Sequence, residues 1–188
     1  MDQGLGLSYR PDQAKQIIDY LLHKDQDIHL HGMNFNNLKK LTQEKENFIN
    51  FTGINNPGIR FHYLRKDNWT NSILDQVGFK FDSSEMAIKS SYTLGKIHKI
   101  PISIMDSGIL SMDASSPKAA IEYTKKLISK AESAQLDYFV INFHDLYFSK
   151  IFKSYYDWYC WLIDYLFGHG LEFTTFNTEI NIKCQRNY

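Results

Sequence analysis

The chain has 188 residues, of which 43% are apolar and 15% aromatic, a size and composition typical of a globular protein with a hydrophobic core. Its 21 basic and 21 acidic residues cancel, so the charge gives no indication of a nucleic-acid interface. No apolar run approaches the roughly 20 residues of a membrane span, and residues 1–13 lack signal-peptide features. Cys160 and Cys184 have neither metal-ligand spacing nor a disulfide framework, so we expect a cytoplasmic protein with free thiols.

Two hydrophobic patterns alternate along the chain. Apolar residues at helical spacing, often begun by proline or closed by glycine, predict helices, and short β-branched or aromatic runs predict strands. In chain order the predicted elements are a loop over 1–10, a helix over 11–23, a strand over 27–31, a helix over 38–52, a strand over 59–64, a helix over 68–77, a strand over 79–81, a loop over 83–99, a strand over 100–105, a loop over 107–116, a helix over 117–134, a strand over 138–143, a helix over 152–168, a strand over 171–175 and a short terminal element over 178–184.

This alternation predicts an α/β fold with mainly parallel strands, because the helices are long enough to connect one strand to the next parallel one. No repeat, low-complexity tract or linker divides the sequence, so residues 1–188 are predicted to form a single domain. The aromatic helix at 155–167 has no single apolar stripe, which favours either a buried position or a homo-oligomer contact.

Three of the predicted strands carry ionisable side chains at or near their ends. The run DYFVINFHDLY leads into His144 and Asp145, and the run DIHLHG leads into His31. The run GIRFHYLR carries Arg60, His62, Tyr63 and Arg65. Because α/β proteins place their sites at the carboxyl ends of parallel strands, we hypothesise that these three strand ends meet in one pocket. The alternative is that they are unrelated polar residues on separate strands.

Seven segments, by their order and spacing, resemble the polysaccharide deacetylase family (carbohydrate esterase family 4). The resemblance runs from about Asp27 to about Thr178, and the segments read DIHLHG, EKENF, GIRFHYLR, LDQVGFKFDSS, IPISIMD, YFVINFHDLYF and LEFTTFNTEI. The resemblance implies an incomplete, deformed (β/α) barrel. It also implies metal-assisted removal of N- or O-acetyl groups from a carbohydrate, in some relatives during the biosynthesis of surface polysaccharide such as O-antigen or capsule.

The resemblance further implies roles for individual residues. His144 matches the catalytic acid, which protonates the leaving amine or alkoxide, and Asp106 is our choice for the carboxylate that orients it. Arg60 matches the arginine of the third family motif, and His31 matches the first metal-binding histidine. The implied cofactor of an active protein is a divalent metal, most simply zinc. Each residue also has a structural interpretation: a hydrogen-bonded strand end for His31, a loop cap for His144, and an ion pair with Asp82 or Asp106 for Arg60.

Four further residues are predicted to contact the substrate. Arg60 and His62 share one face of their predicted strand, so His62 is expected to join Arg60 in the pocket. Tyr63 and Arg65 reach the same pocket if the strand end bends. Asp82 follows a short strand of its own, as Asp106 does.

The sequence departs from the family pattern at two motifs. The family begins with a strand that ends in paired aspartates, whereas here only Asp2 and Asp12, in polar surroundings, lie near the first predicted helix. The first βα unit of the family is therefore predicted to be missing or altered. The second family motif is HxxxH, but the position four after His31 is Phe35.

Three functions are consistent with these observations. The first is a deacetylase-like hydrolase acting on a sugar. The second is a catalytically degenerate relative that binds a glycan or a partner protein. The third is an unrelated α/β enzyme with an open doubly wound sheet, whose histidines act without a metal.

Overall fold

The computed structural model describes residues 11–110 and 117–186. The described chain divides into two compact units: unit 1 holds the residues up to Lys80 and those from Phe173 onward, and unit 2 holds Phe81–Glu172. The predicted loop over 1–10 lies outside the described residues. That the whole chain forms a single domain stays a prediction.

The helices and strands alternate along most of the chain. In chain order they are α1 (Pro11–His23), β1 (Leu30–Gly32), α2 (Leu38–Thr52), β2 (Ile59–Phe61), α3 (Thr70–Val77), β3 (Tyr92–Leu94), β4 (Ile97–Lys99), β5 (Ile102–Met105), α4 (Asp106–Leu110), α5 (Pro117–Ser133), β6 (Val140–Asn142), α6 (Lys153–Gly168) and α7 (Phe176–Arg186). Short 3-10 turns cover His62–Leu64, Asp145–Phe148 and Lys150–Phe152. None of these helices has the length and apolar character that a membrane span requires.

The described strands form three two-stranded pairs and no closed barrel. Strand β1 pairs with β2 and β5 pairs with β6, both in parallel, whereas β3 and β4 form an antiparallel hairpin. The predicted α/β class with parallel strands is therefore confirmed, and the (β/α) barrel stays a prediction.

Unit 1 buries apolar side chains of α2, α3 and the β1–β2 pair. Leu41 of α2, Ile59 and Phe61 of β2, and Leu74 of α3 are almost completely buried. Helix α2 begins where the sequence predicts, because the side chain of Asn37 accepts a hydrogen bond from the first turn. Strand β1 packs against α2, and α2 packs against α3.

Asp27 holds the start of α7 in unit 1, although the two segments are 150 positions apart. Its Oδ2 accepts the backbone N–H of Asn177 at 2.7 Å, and its Oδ1 accepts the side-chain amide of the same residue at 2.7 Å. Lys80 donates from Nζ to the Asn177 side-chain oxygen. A sequence-distant segment therefore completes this unit.

Unit 2 is built around the β5–β6 pair, α5 and α6. Its buried apolar cluster consists of Ile104, Ile109, Ala120, Ile128, Trp158, Leu162 and Leu166. The indole Nε1 of Trp158 donates to Thr124 Oγ1 at 2.9 Å, so the polar atom of this buried ring is satisfied. The aromatic helix therefore contributes to the core of unit 2, and its use in a homo-oligomer stays a prediction.

Several predicted strands are longer than the observed ones. Strands β1, β2 and β6 each pair over only three residues. An apolar run becomes a strand only where a neighbouring backbone accepts and donates its hydrogen bonds, and these neighbours are equally short. The predicted strand over 79–81 is wrong, because these residues belong to no strand of the described chain. The next residue, Asp82, forms only an isolated bridge with Lys99.

Four other predicted segments are also corrected. The predicted loop over 83–99 contains the β3–β4 hairpin, whose two-residue loop begins at Gly95 with a φ of 62°, a left-handed conformation that glycine adopts without strain. Within the predicted loop over 107–116, α4 extends to Leu110, and the rest lies outside the described residues. The segment 171–175 is not a strand, and helix α7 replaces the undefined terminal element.

Candidate functional site

A buried carboxylate holds an exposed histidine in unit 2, and we call Asp106 and His144 the acid–imidazole pair. Because β5 and β6 are parallel, the residues that follow them lie at the same edge. Asp106 is completely buried, and its Oδ1 lies 2.8 Å from Nδ1 of His144. Its Oδ2 accepts the backbone N–H of His144 at 2.6 Å, and Oδ1 also accepts the N–H of Ser107. The carboxylate therefore fixes both the ring and the backbone of His144.

The ring of His144 remains accessible while Asp106 orients it. The His144 side chain is 49% exposed. Since Nδ1 faces the carboxylate, Nε2 lies on the other side of the ring and is the nitrogen that can deliver a proton. A carboxylate in this position orients the imidazole and stabilises its positive charge, which is the arrangement of a general acid. The structure thus brings the two predicted residues together, and their catalytic role stays a prediction.

Tyr147 is a neighbour of His144 that the sequence interpretation missed. The two ring centroids are 5.9 Å apart and the rings are nearly perpendicular, while Tyr147 stacks on Tyr155 at 4.0 Å. Burial raises the pKa of the Tyr147 hydroxyl above its ordinary value, and the charges of Tyr155 and Asp106 raise it further. Tyr147 therefore stays a neutral phenol beside the acid–imidazole pair. The signal in the sequence was the three-residue spacing between His144 and Tyr147, because one turn of a 3-10 helix places such residues on the same side.

Asp82 lies in a buried ion pair within unit 2. Its Oδ2 accepts a hydrogen bond from Lys99 Nζ at 2.7 Å, and its Oδ1 accepts one from the hydroxyl of Ser84. Both charged side chains are less than a tenth exposed. These contacts give Asp82 a structural role, and the predicted contact with substrate stays a prediction.

Two imidazoles contact each other in unit 1, and we call His31 and His62 the imidazole pair. Nε2 of His31 lies 3.0 Å from Nδ1 of His62, with the rings nearly perpendicular. His31 lies in β1, and His62 follows the last residue of β2, so parallel pairing brings them to one edge. One ring donates its N–H to the lone pair of the other.

The chain after β2 turns sharply, which corrects the predicted strand over 59–64. Tyr63 and Leu64 have φ values of 56° and 52°, in the left-handed region that non-glycine residues rarely adopt. Strand alternation therefore ends at Phe61, and His62 and Leu64 do not share a strand face with Arg60. The turn, rather than alternation, directs His62 to His31.

The other predicted residues of unit 1 lie around this turn. Tyr63 is 76% exposed, and its ring centroid is 4.1 Å from that of His62. The guanidinium carbon of Arg65 lies 5.4 Å from the Tyr63 ring centroid. Arg60 instead lies 5.9 Å from the ring of Phe176, the first residue of α7. Tyr63 and Arg65 therefore neighbour the imidazole pair, whereas Arg60 packs on α7.

The loop after His31 is anchored by Glu44, another residue that the sequence interpretation missed. The Glu44 carboxylate accepts the backbone N–H groups of Met33 and Asn34 at 3.1–3.2 Å. A glutamate on α2 thus satisfies two donors that no strand pairs. It holds the chain immediately beyond the imidazole pair.

His29 is a partly buried, neutral histidine two residues before His31. Its Nδ1 accepts the backbone N–H of Gly58 at 3.0 Å, and its Nε2 lies 3.6 Å from the carboxylate of Asp27. Burial lowers the pKa of His29 below its ordinary value, although the charge of Asp27 opposes the shift. The neutral ring therefore carries its hydrogen on Nε2 and serves a structural role.

No family model and no curated protein matches this chain. Its structure is similar to the crystal structure of a Mycobacterium smegmatis protein assigned as a polysaccharide deacetylase, with a TM-score of 0.52 and 18% sequence identity. The match covers 70% of this chain and 54% of that one, so the chain spans about half the length of that relative. The chain therefore has a polysaccharide deacetylase-like fold. At this identity the likeness concerns the fold alone.

The donor set does not fit the metal site that the fold family implies. That site needs three protein ligands and an open position. Across the part of the chain that the structure describes, no group of three His, Cys, Asp or Glu side chains could hold a metal ion. Phe35, at the position of the second HxxxH histidine, lies edge-on to Phe61 with centroids 6.4 Å apart. The described side chains therefore do not form the family's metal site.

The predicted site residues divide between the two units. Unit 1 holds His31, Arg60, His62, Tyr63 and Arg65, and unit 2 holds Asp82, Asp106 and His144. The structure supports two local pairs, one in each unit. The hypothesis that all three strand ends meet in one pocket stays a prediction.

Proposed function

We propose that the chain is a carbohydrate deacetylase-like hydrolase, in which His144 donates a proton to the amine or alkoxide that leaves when an acetyl group is removed from a sugar. The observation that carries this proposal is the completely buried Asp106 carboxylate, 2.8 Å from Nδ1 of His144. The polysaccharide deacetylase-like fold supports the substrate class.

The proton transfer follows from the geometry of the acid–imidazole pair. When the tetrahedral intermediate collapses, the bond from carbon to the leaving nitrogen or oxygen breaks, and Nε2 of His144 gives its proton to that atom. Asp106 stabilises the imidazolium before transfer and keeps the ring in place afterwards. The neutral ring then regains a proton from water, which its exposure allows. His144 delivers the proton in this proposal, and other groups activate the attacking water.

The family resemblance also leads to a proposal about the biological role of the protein. We propose a role in surface-polysaccharide biosynthesis, such as O-antigen or capsule, within the cytoplasm. Zinc is the metal that the resemblance implies for an active relative, and the acid–imidazole pair contributes no ligand to it in this proposal.

Acetate release tests the proposal. The full chain, purified without a tag, is incubated with N-acetylated and O-acetylated oligosaccharides and with 4-nitrophenyl acetate, with and without added divalent metals. Wild type is compared with His144→Gln and with His169→Gln, since His169 is another exposed histidine of unit 2. We expect His144→Gln to lower turnover by about 100- to 10,000-fold and the control to retain it. No acetate release by the wild type, or equal rates in both variants, would refute the assignment.

A catalytically degenerate glycan-binding protein is the second candidate. The edge-on packing of Phe35 against Phe61 favours it, because an apolar ring stands where the family places a metal ligand. Calorimetric binding of an oligosaccharide without any acetate release, weakened by Tyr63→Ala, would support this candidate over the hydrolase. Tyr63 is suited to this test because its ring is exposed and can stack on a sugar.

A further inference from the structure

Two residues of unit 2, Asp106 and Tyr147, each contact both the backbone and the ring of His144. The first was predicted from the sequence, whereas nothing above assigns a role to the second. We propose that Tyr147 is a positioning residue, whose ring keeps the imidazole of His144 aligned so that Nε2 is aimed at the leaving atom. This inference rests on the proposed hydrolase function and adds a residue to its machinery.

The contacts of Tyr147 with His144 complement those of Asp106. The carboxylate of Asp106 fixes Nδ1, but one hydrogen bond still lets a ring that is 49% exposed tilt about that bond. The backbone N–H of Tyr147 donates to the carbonyl oxygen of His144 at 3.0 Å. The two rings are nearly perpendicular with centroids 5.9 Å apart, within the range of an edge-to-face contact. The Tyr147 ring therefore limits the tilt that the carboxylate leaves open.

Tyr147 can hold the imidazole because its own ring is fixed. It stacks on Tyr155 of α6, with centroids 4.0 Å apart and 22° between the ring planes. It also meets Phe152 edge-on at 5.2 Å. Helix α6 is anchored in the core of unit 2 by Trp158, which is 1% exposed. A continuous series of packed rings thus connects the core to the imidazole.

The Tyr147 side chain is neutral, which suits a position beside a proton donor. Burial raises the pKa of its hydroxyl, and the charges of Tyr155 and Asp106 raise it further. A neutral phenol adds no second negative charge beside the Asp106 carboxylate. Because a misplacement of about 1 Å between reacting groups can cost about 100-fold in rate, loss of the ring should impair proton delivery more than substrate binding.

Deacetylation kinetics of the full, untagged chain test this role. Tyr147→Ala removes the ring but keeps the backbone N–H that bonds to His144, and Tyr147→Phe keeps the ring. The matched control is Tyr156→Ala, at a tyrosine of α6 that is 43% exposed. With an N-acetylated oligosaccharide, we expect Tyr147→Ala to lower kcat by about 10- to 100-fold at nearly unchanged KM. Tyr147→Phe and the control should retain most of the wild-type kcat.

A second substrate separates the positioning role from general damage to the fold. The 4-nitrophenolate ion leaves without taking up a proton, so hydrolysis of 4-nitrophenyl acetate depends little on a proton donor, whereas a leaving amine needs one. Tyr147→Ala should therefore slow this ester much less than the N-acetylated oligosaccharide. Equal losses on both substrates, an equal loss in Tyr156→Ala, or an unchanged kcat in Tyr147→Ala would overturn the proposal.

NMR spectra of the His144 ring cover an inactive wild type and a variant that fails to fold. In the unaltered chain, the ring hydrogens of His144 and Tyr147 should show mutual NOEs. The hydrogen that Nδ1 of His144 shares with Asp106 should exchange with water slowly in the wild type and faster in Tyr147→Ala. No acetate release by the wild type would refute the hydrolase proposal alone. Absence of the NOEs in the unaltered chain, or equal exchange in wild type and Tyr147→Ala, would overturn the positioning role.

Discussion

Both units place a histidine at the carboxyl edge of a parallel strand pair, but they support it differently. In unit 2, His144 is held by Asp106, a completely buried carboxylate. In unit 1, His31 is held by a second imidazole, that of His62. Buried charge also appears beside the strands of unit 2 in the Asp82–Lys99 pair, whereas the partly buried His29 of unit 1 is neutral.

This difference shows how one backbone arrangement serves two kinds of chemistry. Parallel pairing determines which side chains meet, and the partner determines what the imidazole can do. A carboxylate stabilises the charged imidazole and suits it to deliver protons. An imidazole partner adds no charge and offers a lone pair, which suits hydrogen bonding. The predictions below test whether unit 2 depends on buried charge and unit 1 does not.

The largest effect is expected from removing Asp82. In Asp82→Ala the ammonium of Lys99 is left buried without its counter-ion, which typically costs about 3–5 kcal/mol. Urea unfolding followed by tryptophan fluorescence measures this loss, because Trp158 lies in the core of unit 2. The control is Asp19→Ala, which breaks the exposed Lys15–Asp19 ion pair of α1. It should lower the free energy of unfolding, measured by circular dichroism, by about 0.5 kcal/mol or less. Equal costs would contradict the dependence on buried charge.

Removing the partner of each histidine, by substitution with alanine, compares the acid–imidazole pair with the imidazole pair directly. Asp106→Ala leaves the N–H groups of Ser107 and His144 without their acceptor, and we expect a loss of about 2–4 kcal/mol. His62→Ala removes one hydrogen bond at an accessible site, and we expect about 1 kcal/mol or less. Denaturant titration of both variants gives the two values. A larger loss in His62→Ala would reverse the comparison.

The stability of unit 1 should depend on pH through His29. Its folded-state pKa is lowered, so the unfolded chain binds the proton more readily. The stabilising contribution is complete above the ordinary histidine pKa of about 6.5 and is lost as pH falls towards the lowered folded value. Protonation would also place a hydrogen on Nδ1, against the N–H of Gly58.

His29→Asn tests this dependence, because its side-chain oxygen can still accept from Gly58. We expect the free energy of unfolding to rise with pH in the wild type, by at most about 1.4 kcal/mol per pH unit, and less steeply in the variant. The control His169→Asn should keep the wild-type slope. Superimposable profiles for wild type and His29→Asn would exclude the effect.

The smallest effect is expected at the strained turn beside the imidazole pair. Tyr63→Gly relieves a left-handed conformation worth roughly 1–2 kcal/mol and adds unfolded-state freedom worth about 0.5–1 kcal/mol, so a net gain of about 0–1.5 kcal/mol follows. The same change at exposed Tyr20, in helix α1, should destabilise by about 0.5–1 kcal/mol. Thermal unfolding of both variants measures the opposite signs, and a loss at both positions would argue against strain.

Helices were the most predictable part of the fold. Helix α1 has the predicted bounds, and α2 and α3 end at Gly53 and Gly78, whose positive φ values close each helix as the sequence suggested. Because the ends of a helix are determined by residues close in sequence, they can be predicted from the local sequence. Helix α7 was missed although Thr175 offers a signal, since its hydroxyl accepts the N–H of Thr178 as an N-cap does.

Strands and side-chain pairs depend on sequence-distant partners, which explains the remaining errors. The apolar character of 138–143 indicated a strand, but only three of its residues find a paired neighbour in β5. The pairing of Asp106 with His144 could be foreseen because each follows a predicted strand and a histidine that acts as an acid needs a carboxylate to orient it. The contact of His31 with His62 could not, because it depends on the left-handed turn at Tyr63, which neither alternation nor composition predicts.

The bond from Asp27 to Asn177 has a consequence for the order in which the chain folds during synthesis. The two residues are 150 positions apart, and at about 5–20 residues per second the first is made roughly 8–30 s before the second. Every residue of unit 2 is synthesised within that interval, because this unit is continuous in sequence and lies between the two residues. The earlier-made part of unit 1 therefore lacks the partner of Asp27 until Asn177 has been made, after the whole of unit 2.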